Sequence, residues 1–407
     1  MTAIRASVLT PESPTSVVWI EDAYVQVDDD GTFATVAPWT GQGVDEDMRP
    51  AVLMPGFVDG HIHFPQARII GSASGPLLQW LETTTFPEEG KFSQPAYAKT
   101  VAESFCEKLL SAGTTLAMIY GSSHLSATHQ LFRALDTSGL RAIAGPVLMD
   151  RGAPDNLLVP VEKAMDQLEE LISTWHQKNN RLHVAVVPRF ALSCSQEMMA
   201  SAGMLAHKHN LWVTTHLSEN PQECQVAQEL FKTPDYLSVY EDTGLVHDKS
   251  VFAHCIHLSD SEMDRLADAG AVIAHCPDSN YFLGSGNMPV SALMERGISI
   301  AMGSDIAGGR SYRIPHGLSR AFDNGLQTHT RLSLEQLFWW GTRGGALALG
   351  QTQTGTLKPG LRADMICVQR PSWATTPHQI LSHIIFQADT PPVRATWVDG
   401  TKVWSGV

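Results

Sequence analysis

The chain has 407 residues, more than one ordinary hydrophobic core fills, so its length favours one large domain with a smaller one attached. Its composition, 43% hydrophobic and 17% charged, is that of a folded globular protein, and no uncharged apolar run of about 18 residues could span a bilayer. The formal net charge of −14 and the lack of a Lys/Arg cluster argue against a nucleic acid or an anionic membrane as partner, whereas free nucleobases remain possible.

The two ends of the chain have a similar character. Residues 1–51 and 352–407 are rich in short Val, Thr and Trp runs broken by Gly, Pro and Asp. Neither segment is long enough for a core of its own, so we expect them to meet as one small β-sandwich domain. The first residues lack the apolar stretch of a signal peptide, and the six cysteines form no Cys-x-x-Cys pair. We therefore expect a cytoplasmic protein with reduced thiols.

Residues 52–351 alternate short apolar runs with longer amphipathic stretches, which is the pattern of repeated β-then-α units. Eight runs rich in Val, Ile, Leu and Ala are candidate strands: Val52–Phe57, Thr114–Tyr120, Arg141–Leu148, Leu182–Pro188, Leu211–His216, Ser250–His254, Ala271–His275 and Ile298–Gly303. Eight is the number of strands that a closed, TIM-like (β/α)8 barrel requires. Between them, Val161–Trp175 repeats its apolar residues every three to four positions, which predicts a helix packed on the barrel.

A His-x-His pair, His61 and His63, follows the first candidate strand. Chance alone supplies about one such pair in a chain with 17 histidines. A second pair, His207 and His209, lies near a predicted helix end, and we interpret it as solvated surface. The pair by itself is therefore weak evidence for a metal site.

Other ligand-type side chains also stand where strands end: His216 at the fifth strand, His254 at the sixth and Asp305 after the eighth. Barrel enzymes build their sites on the face formed by these strand ends, so the three residues should meet the first His-x-His pair there. Residues two apart on a strand point to the same side, so His61 and His63 can chelate one ion. Imidazole and carboxylate are ligands that Zn²⁺ accepts, and a water would complete the site.

Two carboxylates are candidates for proton transfer at such a site. A metal ion can lower the pKa of a bound water to about 7, and the protein then needs a group to accept the proton. Asp305 could contact both the metal and the water. Glu219, three residues beyond His216, lies at the rim, where it could pass a proton to a leaving group. The alternative for Glu219 is a solvated loop acid.

Four segments carry a resemblance to a known family: PGFVDGHIHFPQ, THLSEN, FAHCIHLS and MGSDIAGG. Together they resemble the amidohydrolase superfamily, whose barrels hold one or two metal ions. Members with two ions have a lysine, often carboxylated, at the end of strand four. This chain has Arg189 there, in VAVVPRF. The difference points to the mononuclear deaminase branch.

Within that branch the chain resembles the guanine deaminases. The segment FPQARIIGSASGPLLQWLETTTFPEEGKF matches their proline-glutamine and leucine-x-x-tryptophan-leucine-glutamate motifs, and VLMDRGAPDNLL, PRFALSCS and HCPDSN follow in order. The tail GTLKPGLRADMICV resembles the closing strand of the superfamily. Gly60 and Ser304 stand where threonine is common, which changes no ligand. The resemblance implies hydrolysis of guanine to xanthine and ammonia, by a homodimer.

The resemblance also implies roles for individual residues. One zinc ion per chain would have four ligands: His61, His63, His216 and Asp305. His254 would lie beside the activated water, as a further ligand or proton acceptor, and His257 would be structural. A purine pocket would use Gln66, Trp80, Arg189, Phe190 and Glu219. An aromatic contact, a donor to the ring oxygen and a carboxylate at the N–H edge suit a flat heterocycle.

Several alternatives stay open at this point. Trp80 could be ordinary lid packing, and Arg189 could form a surface ion pair. The substrate could be a related ring, such as 8-oxoguanine, a pterin or an aminotriazine, because pocket geometry decides between them. A barrel that has become a scaffold would usually lack a ligand, and none is missing. Deaminases of bases within nucleic acids carry a Pro-Cys-x-x-Cys signature, which this chain lacks.

Overall fold

A computed structural model describes residues 1–72, 75–387 and 393–406. Two positions of the deaminase-like segment after strand one, 73 and 74, and positions 388–392 and 407 of the C-terminal segment lie outside the described residues. The strands are β1 Thr2–Ser13, β2 Ser16–Val27, β3 Phe33–Pro38, β4 Glu46–Pro55, β5 Phe57–His63, β6 Thr114–Tyr120, β7 Arg141–Gly145, β8 Val147–Leu148, β9 Leu182–Pro188, β10 Trp212–Leu217, β11 Ser250–His254, β12 Val272–His275, β13 Ser299–Met302, β14 Met365–Val368, β15 Val393–Val398 and β16 Thr401–Ser405.

The α-helices are α1 Leu77–Trp80, α2 Phe86–Glu89, α3 Pro95–Ser111, α4 Leu125–Ser138, α5 Val161–Trp175, α6 Gln196–His209, α7 Pro221–Phe231, α8 Tyr236–Glu241, α9 Asp260–Asp268, α10 Pro277–Phe282, α11 Val290–Glu295, α12 Ile314–Gln327, α13 Leu334–Gly341, α14 Arg343–Ala348 and α15 Pro377–Phe386. A π-helical turn, Leu81–Thr85, joins α1 to α2. Short 3₁₀ turns occupy Phe64–Gln66, Gly90–Ser93, Asp155–Leu157 and Ala191–Ser193.

Eight parallel strands form the barrel, in the order β5-β6-β7-β9-β10-β11-β12-β13, with the short β8 beside β9. The barrel closes where β5 meets β13. A Cβ at Gly60 would lie only 2.8 Å from the Cβ of Ala301, so this close approach requires glycine. Helices that follow the strands pack on the outside of the sheet. The predicted (β/α)8 barrel is confirmed.

Most of the predicted elements agree with the structure. The bounds of β6, β9, β11 and α5 are those predicted from the sequence. The buried residues of α5 recur every three to four positions, as expected: Ala164, Leu168, Leu171 and Trp175. The predicted strand Arg141–Leu148 is instead two strands, because the chain breaks at Pro146, which has no N–H for the ladder.

The predicted first barrel strand, Val52–Phe57, is wrong. Residues 52–55 end β4, which lies in the other sheet and pairs with β14, whereas the first barrel strand begins at Phe57. Gly56 alone separates the two strands, and a Cβ there would lie 2.1 Å from the hydroxyl of Thr115. Both strands are buried on both faces at this point, so the apolar run had no alternation that could separate them.

The two ends of the chain form one seven-stranded mixed sheet, in the order β16-β15-β14-β4-β1-β2-β3. One of its faces encloses a core of its own, which includes Ile4, Val8, Val25, Leu53, Met365 and Trp397. The other face packs into the barrel core through residues such as Val52, Met54 and Ile366. The predicted small β domain, formed by both ends beside the barrel, is therefore confirmed. The division at residues 52 and 351 stays a prediction.

A buried ion-pair network joins the barrel to this sheet. Arg141, the first residue of β7, donates from Nε to Asp364 Oδ2 at 2.9 Å and from Nη2 to Asp399 Oδ1 at 2.7 Å. Arg141 and Asp364 are both buried. Since Arg141 begins its strand, the network lies at the end of the barrel opposite the carboxyl ends of the strands.

Candidate active site

The carboxyl ends of the barrel strands bring four predicted ligands together. His61 and His63 lie on β5, His216 lies on β10, and Asp305 follows β13. His63 Nε2 lies 3.2 Å from Nε2 of both His61 and His216. Asp305 Oδ1 lies 3.3 Å from Nε2 of both His61 and His63. The ring of Tyr120 packs against all three histidines, with centroids 4.5–5.0 Å apart, a contact that the sequence analysis missed.

This set of ligand atoms fits a zinc ion. A tetrahedral zinc with ligand distances of about 2.0–2.1 Å holds its ligand atoms about 3.3 Å apart. Four of the six separations among these atoms, His61–His63, His63–His216, His61–Asp305 and His63–Asp305, are 3.2–3.3 Å and match that spacing. Ring nitrogens and a carboxylate oxygen thus converge at the spacing of a site built around a cation.

Hydrogen bonds fix the orientation of two histidine rings. His216 Nδ1 donates to the carbonyl oxygen of Arg189 at 2.6 Å. His254 Nδ1 donates to Asn280 Oδ1 at 2.8 Å. Each ring therefore keeps the lone pair of its Nε2 facing the site, which is the form that binds metal.

His254 also contributes a ring nitrogen to this cluster. One ligand atom from each of His61, His216, His254 and Asp305 lies within 4.8 Å of the others. His254 Nε2 is 3.8 Å from Asp305 Oδ2 and 3.5 Å from Glu219 Oε2. These distances exceed the 3.2–3.3 Å separations around His63. His254 is thus placed between the ligand carboxylate and the second acid.

Burial gives the ligands the protonation states that a metal requires. Removal from water lowers the pKa of His61 and His216, and lowers that of His63 to about 3. Burial alone would raise the pKa of Asp305, but hydrogen bonds from His61 and His63 hold it well below its usual range. Neutral imidazoles and an ionised carboxylate are the forms that coordinate metal.

Asp59 belongs to this site, although the sequence analysis missed it. Its buried carboxylate accepts hydrogen bonds from the backbone N–H and the hydroxyl of Ser304, and from the backbone N–H of His61. Burial raises the pKa of Asp59 to about 6. Because Ser304 precedes Asp305, this carboxylate ties together the two segments that carry ligands. Its position two residues before His61, on the same side of β5, is the signal that could have identified it.

The backbone is strained where the chain leaves three of the barrel strands. Ser218, His254, Cys255 and Asp305 have positive φ angles of 53°, 73°, 51° and 46°. Such angles cost a non-glycine residue about 1–3 kcal/mol and concentrate at functional sites. The strain therefore falls on residues that carry or flank the predicted chemistry.

A cavity of about 380 Å³ opens onto the ligand cluster. All five predicted pocket residues line it, together with three ligands and three leucines: Gln66, Trp80, Arg189, Phe190, Glu219, His63, His216, Asp305, Leu77, Leu81 and Leu283. The leucines, which were not predicted from the sequence, add apolar surface.

The segment after β5 that contains α1 and α2, called the covering segment below, covers this cavity and fixes its polar groups. Trp80 is buried there and lines the cavity, so it both packs the lid and faces the site. Arg189 is not a surface ion pair, because it is buried and its Nη1 donates to Glu89 Oε2 at 2.6 Å. The side-chain oxygen of Gln66 accepts from the backbone N–H of Ala307 at 3.1 Å, and its Nε2 donates to Glu89 Oε1 at 3.3 Å.

Glu219 is buried beside the cavity, so it is not a solvated loop acid. Its Oε1 accepts from the hydroxyl of Ser285 at 3.1 Å, and its backbone N–H donates to Glu223 Oε2 at 3.1 Å. Burial, with the negative charge of Asp305, raises the pKa of Glu219 to about 8. His257 donates to the carbonyl oxygen of Ser285 at 2.9 Å, a structural contact that supports this arrangement.

The second His-x-His pair lies away from this cluster, at the end of α6. His207 is exposed and donates to the carbonyl oxygen of Gly244 at 3.1 Å. His209 is half-buried and lies 3.0 Å from Glu169 Oε2. Both residues therefore take part in surface contacts.

Comparison with known proteins places this site in a family. The model of the amidohydrolase family matches residues 52–403. The guanine deaminase of Escherichia coli K12 is 38% identical over 88% of this chain and 84% of its own. Three solved structures are also similar. An E. coli guanine deaminase has a TM-score of 0.94 and 33% identity over 100% of both chains, and a guanine deaminase from C. acetobutylicum with bound guanine has a TM-score of 0.94 and 29% identity over 99% of this chain and 100% of its own. An adenosine deaminase from Xanthomonas campestris with bound zinc has a TM-score of 0.87 and 25% identity over 98% of this chain and 92% of its own. The chain belongs to the amidohydrolase family.

Proposed function

We propose that the protein hydrolyses guanine to xanthine and ammonia. The observation that carries this proposal is the cavity that joins the His/Asp cluster to Gln66, Arg189 and Glu219. The cluster alone indicates a hydrolase, whereas side chains able to bind the carbonyl and N–H edges of a purine select the ring. Guanine deaminases among the relatives, one of them with guanine in its active site, support the same substrate.

The proposed cofactor is one zinc ion per chain, bound by His61, His63, His216 and Asp305. When bound, zinc supplies a Lewis acid that activates water near neutral pH. The spacing of the ligand atoms supports this assignment. Elemental analysis of the purified protein should find about one zinc per chain. A metal-free preparation with full activity would contradict the assignment.

The chain's own carboxyl groups move the protons. Asp305 accepts a proton from the attacking water, while Glu219, protonated at neutral pH, donates one to the ring nitrogen beside the amino-bearing carbon. The added hydroxyl returns its proton to Glu219 as the new carbonyl forms. The amino group leaves as ammonia with the proton from Asp305. His254 Nε2, 3.8 Å from Asp305 Oδ2, is placed to assist that transfer.

The remaining pocket residues bind and orient the ring. Arg189 and Gln66 present N–H donors for the ring carbonyl. Trp80 and Phe190 present aromatic surface to a flat heterocycle, and the leucines of the cavity exclude water. These contacts distinguish a purine pocket from a general hydrolase site.

An ammonia-release panel with purified protein tests the substrate. Guanine, 8-oxoguanine, a pterin and an aminotriazine are compared at equal concentration. Guanine should give the highest kcat/KM, since a pocket built for particular N–H and carbonyl groups discriminates strongly. A higher value for another ring would replace guanine as substrate. Release from none of them would favour an inactive barrel that serves as a scaffold.

The homodimer and the cytoplasmic location stay predictions. Within the described ranges, no helix is both long and apolar enough to cross a membrane. Light scattering on the purified protein tests the dimer. A mass near 44.4 kDa, that of one chain, would contradict it.

A further inference from the structure

Glu89 contacts two pocket side chains that come from different parts of the barrel. Its Oε2 accepts a hydrogen bond from Arg189 Nη1 at 2.6 Å, and its Oε1 accepts one from Gln66 Nε2 at 3.3 Å. Glu89 ends α2, whereas Arg189 follows β9 and Gln66 follows β5. One buried carboxylate therefore fixes the direction of both N–H donors.

The same helix gives Arg189 a second contact. The guanidinium carbon of Arg189 lies 5.3 Å from the ring centroid of Phe86, one turn before Glu89. Because a guanidinium is planar, a carboxylate at one edge and a ring against it limit its rotation. The π-helical turn Leu81–Thr85 immediately precedes this helix, and such turns are rare and frequently occur at functional sites. The covering segment is thus built around Arg189.

The contact also compensates the positive charge of Arg189. Arg189 is the one Lys or Arg side chain among the described residues that line the cavity. A buried guanidinium without a partner would favour an anionic ligand, since an uncompensated buried charge is costly. The carboxylate of Glu89 compensates that charge at 2.6 Å and leaves the other N–H groups of Arg189 available.

We propose that Glu89 is a positioning residue that sets the charge preference of the pocket, so that neutral purines bind in preference to anionic ones. It does not line the cavity and acts through Arg189 and Gln66. The inference rests on the proposed purine-binding function. It adds that a residue of the covering segment, which is itself not a proposed metal ligand, helps to select the purine by charge.

The neighbouring residue supplies a matched control. Glu88 is 4% exposed and Glu89 is 5% exposed, and both belong to α2. The carboxylate of Glu88 accepts from Lys91 Nζ at 2.6 Å and from the hydroxyl of Tyr97. Glu88→Gln therefore removes an equally buried charge from the same helix without touching the donors of the pocket.

Direct binding of two purines tests the proposal. Calorimetry on zinc-loaded protein at neutral pH compares hypoxanthine, which is neutral, with urate, which is an anion. Glu89→Gln keeps the size of the side chain and removes its charge. Relative to wild type, it should shift the affinity ratio toward urate by at least about tenfold. Glu88→Gln should leave the ratio within about twofold.

A double variant separates charge from folding. The double variant, which adds Arg189→Gln to Glu89→Gln, has no uncompensated buried charge. Its affinity ratio of urate to hypoxanthine should therefore return close to that of wild type, even if Glu89→Gln alone folds poorly. Three results would overturn the inference: an affinity ratio that is unchanged in Glu89→Gln, one that shifts equally in Glu88→Gln, or one that is not restored in the double variant. In each case, guanine turnover by the wild type would leave the proposed function intact. Wild-type protein that binds neither purine and releases no ammonia from guanine would contradict both.

Discussion

The backbone N–H of Asp305 donates a hydrogen bond to the carbonyl oxygen of His61 at 2.9 Å. His61 lies on β5 and Asp305 follows β13, so the bond crosses the seam at which the barrel closes. Asp59 reinforces the same seam through its bonds to Ser304. The hydrogen bonds that close the barrel therefore also hold together the two segments that carry His61 and Asp305.

Asp59 should control metal affinity through that seam. Asp59→Asn weakens the acceptor that orients His61 and Ser304, and we expect zinc affinity to fall about 10–100-fold, as for other residues that orient ligands. Competition with a chromophoric chelator measures it. Ser304→Ala, which removes only the hydroxyl contact, should lose less. Equal zinc affinity in wild type and Asp59→Asn would contradict this role.

Glu219 should be required for turnover but not for metal binding. Glu219→Gln cannot transfer a proton, so kcat should fall about 10²–10⁴-fold while the zinc content stays that of wild type. Steady-state kinetics and elemental analysis on the same preparation test both statements. A variant that keeps near-normal turnover would remove Glu219 from the mechanism.

The pH dependence follows from the same carboxyl group. Burial raises the pKa of Glu219 to about 8, so the group is protonated below that pH and ionised above it. A proton donor is lost on ionisation, and kcat should therefore fall as pH rises through about 8. The residual activity of Glu219→Gln should lack this limb. A kcat that instead rises through pH 8 would assign Glu219 the role of a base.

The link between the barrel and the terminal sheet should contribute strongly to stability. Arg141→Met leaves the carboxylate of Asp364 buried and unpaired, which should lower the free energy of unfolding by about 3–5 kcal/mol. Thermal unfolding measures the change. The control is Lys99→Met, since Lys99 and Glu103 are 65% and 62% exposed and their pair contributes at most about 1 kcal/mol. Equal melting temperatures for the two variants would contradict the prediction.

Local patterns in the sequence were enough to predict strands, helices and the residues at strand ends. Strand ends identified His61, His63, His216 and Asp305, because each stands at the point where an apolar run turns polar. The sequence could not separate β4 from β5, since both are buried on both faces where they meet.

Contacts between residues far apart in the chain could not be predicted from the sequence. Asp59 bonds to Ser304 across 245 positions, and Glu89 bonds to Arg189 across 100 positions. No local period or spacing signals such a contact. The cluster of His and Asp residues was therefore predictable from the sequence, whereas the residues that orient its side chains required the fold.

Hydrolysis of guanine in ¹⁸O-labelled water tests the central claim most directly. Each xanthine formed should carry one ¹⁸O atom, and one ammonia should be released for each guanine consumed, because the new carbonyl oxygen comes from water. Guanine recovered unchanged after incubation with zinc-loaded protein would contradict it.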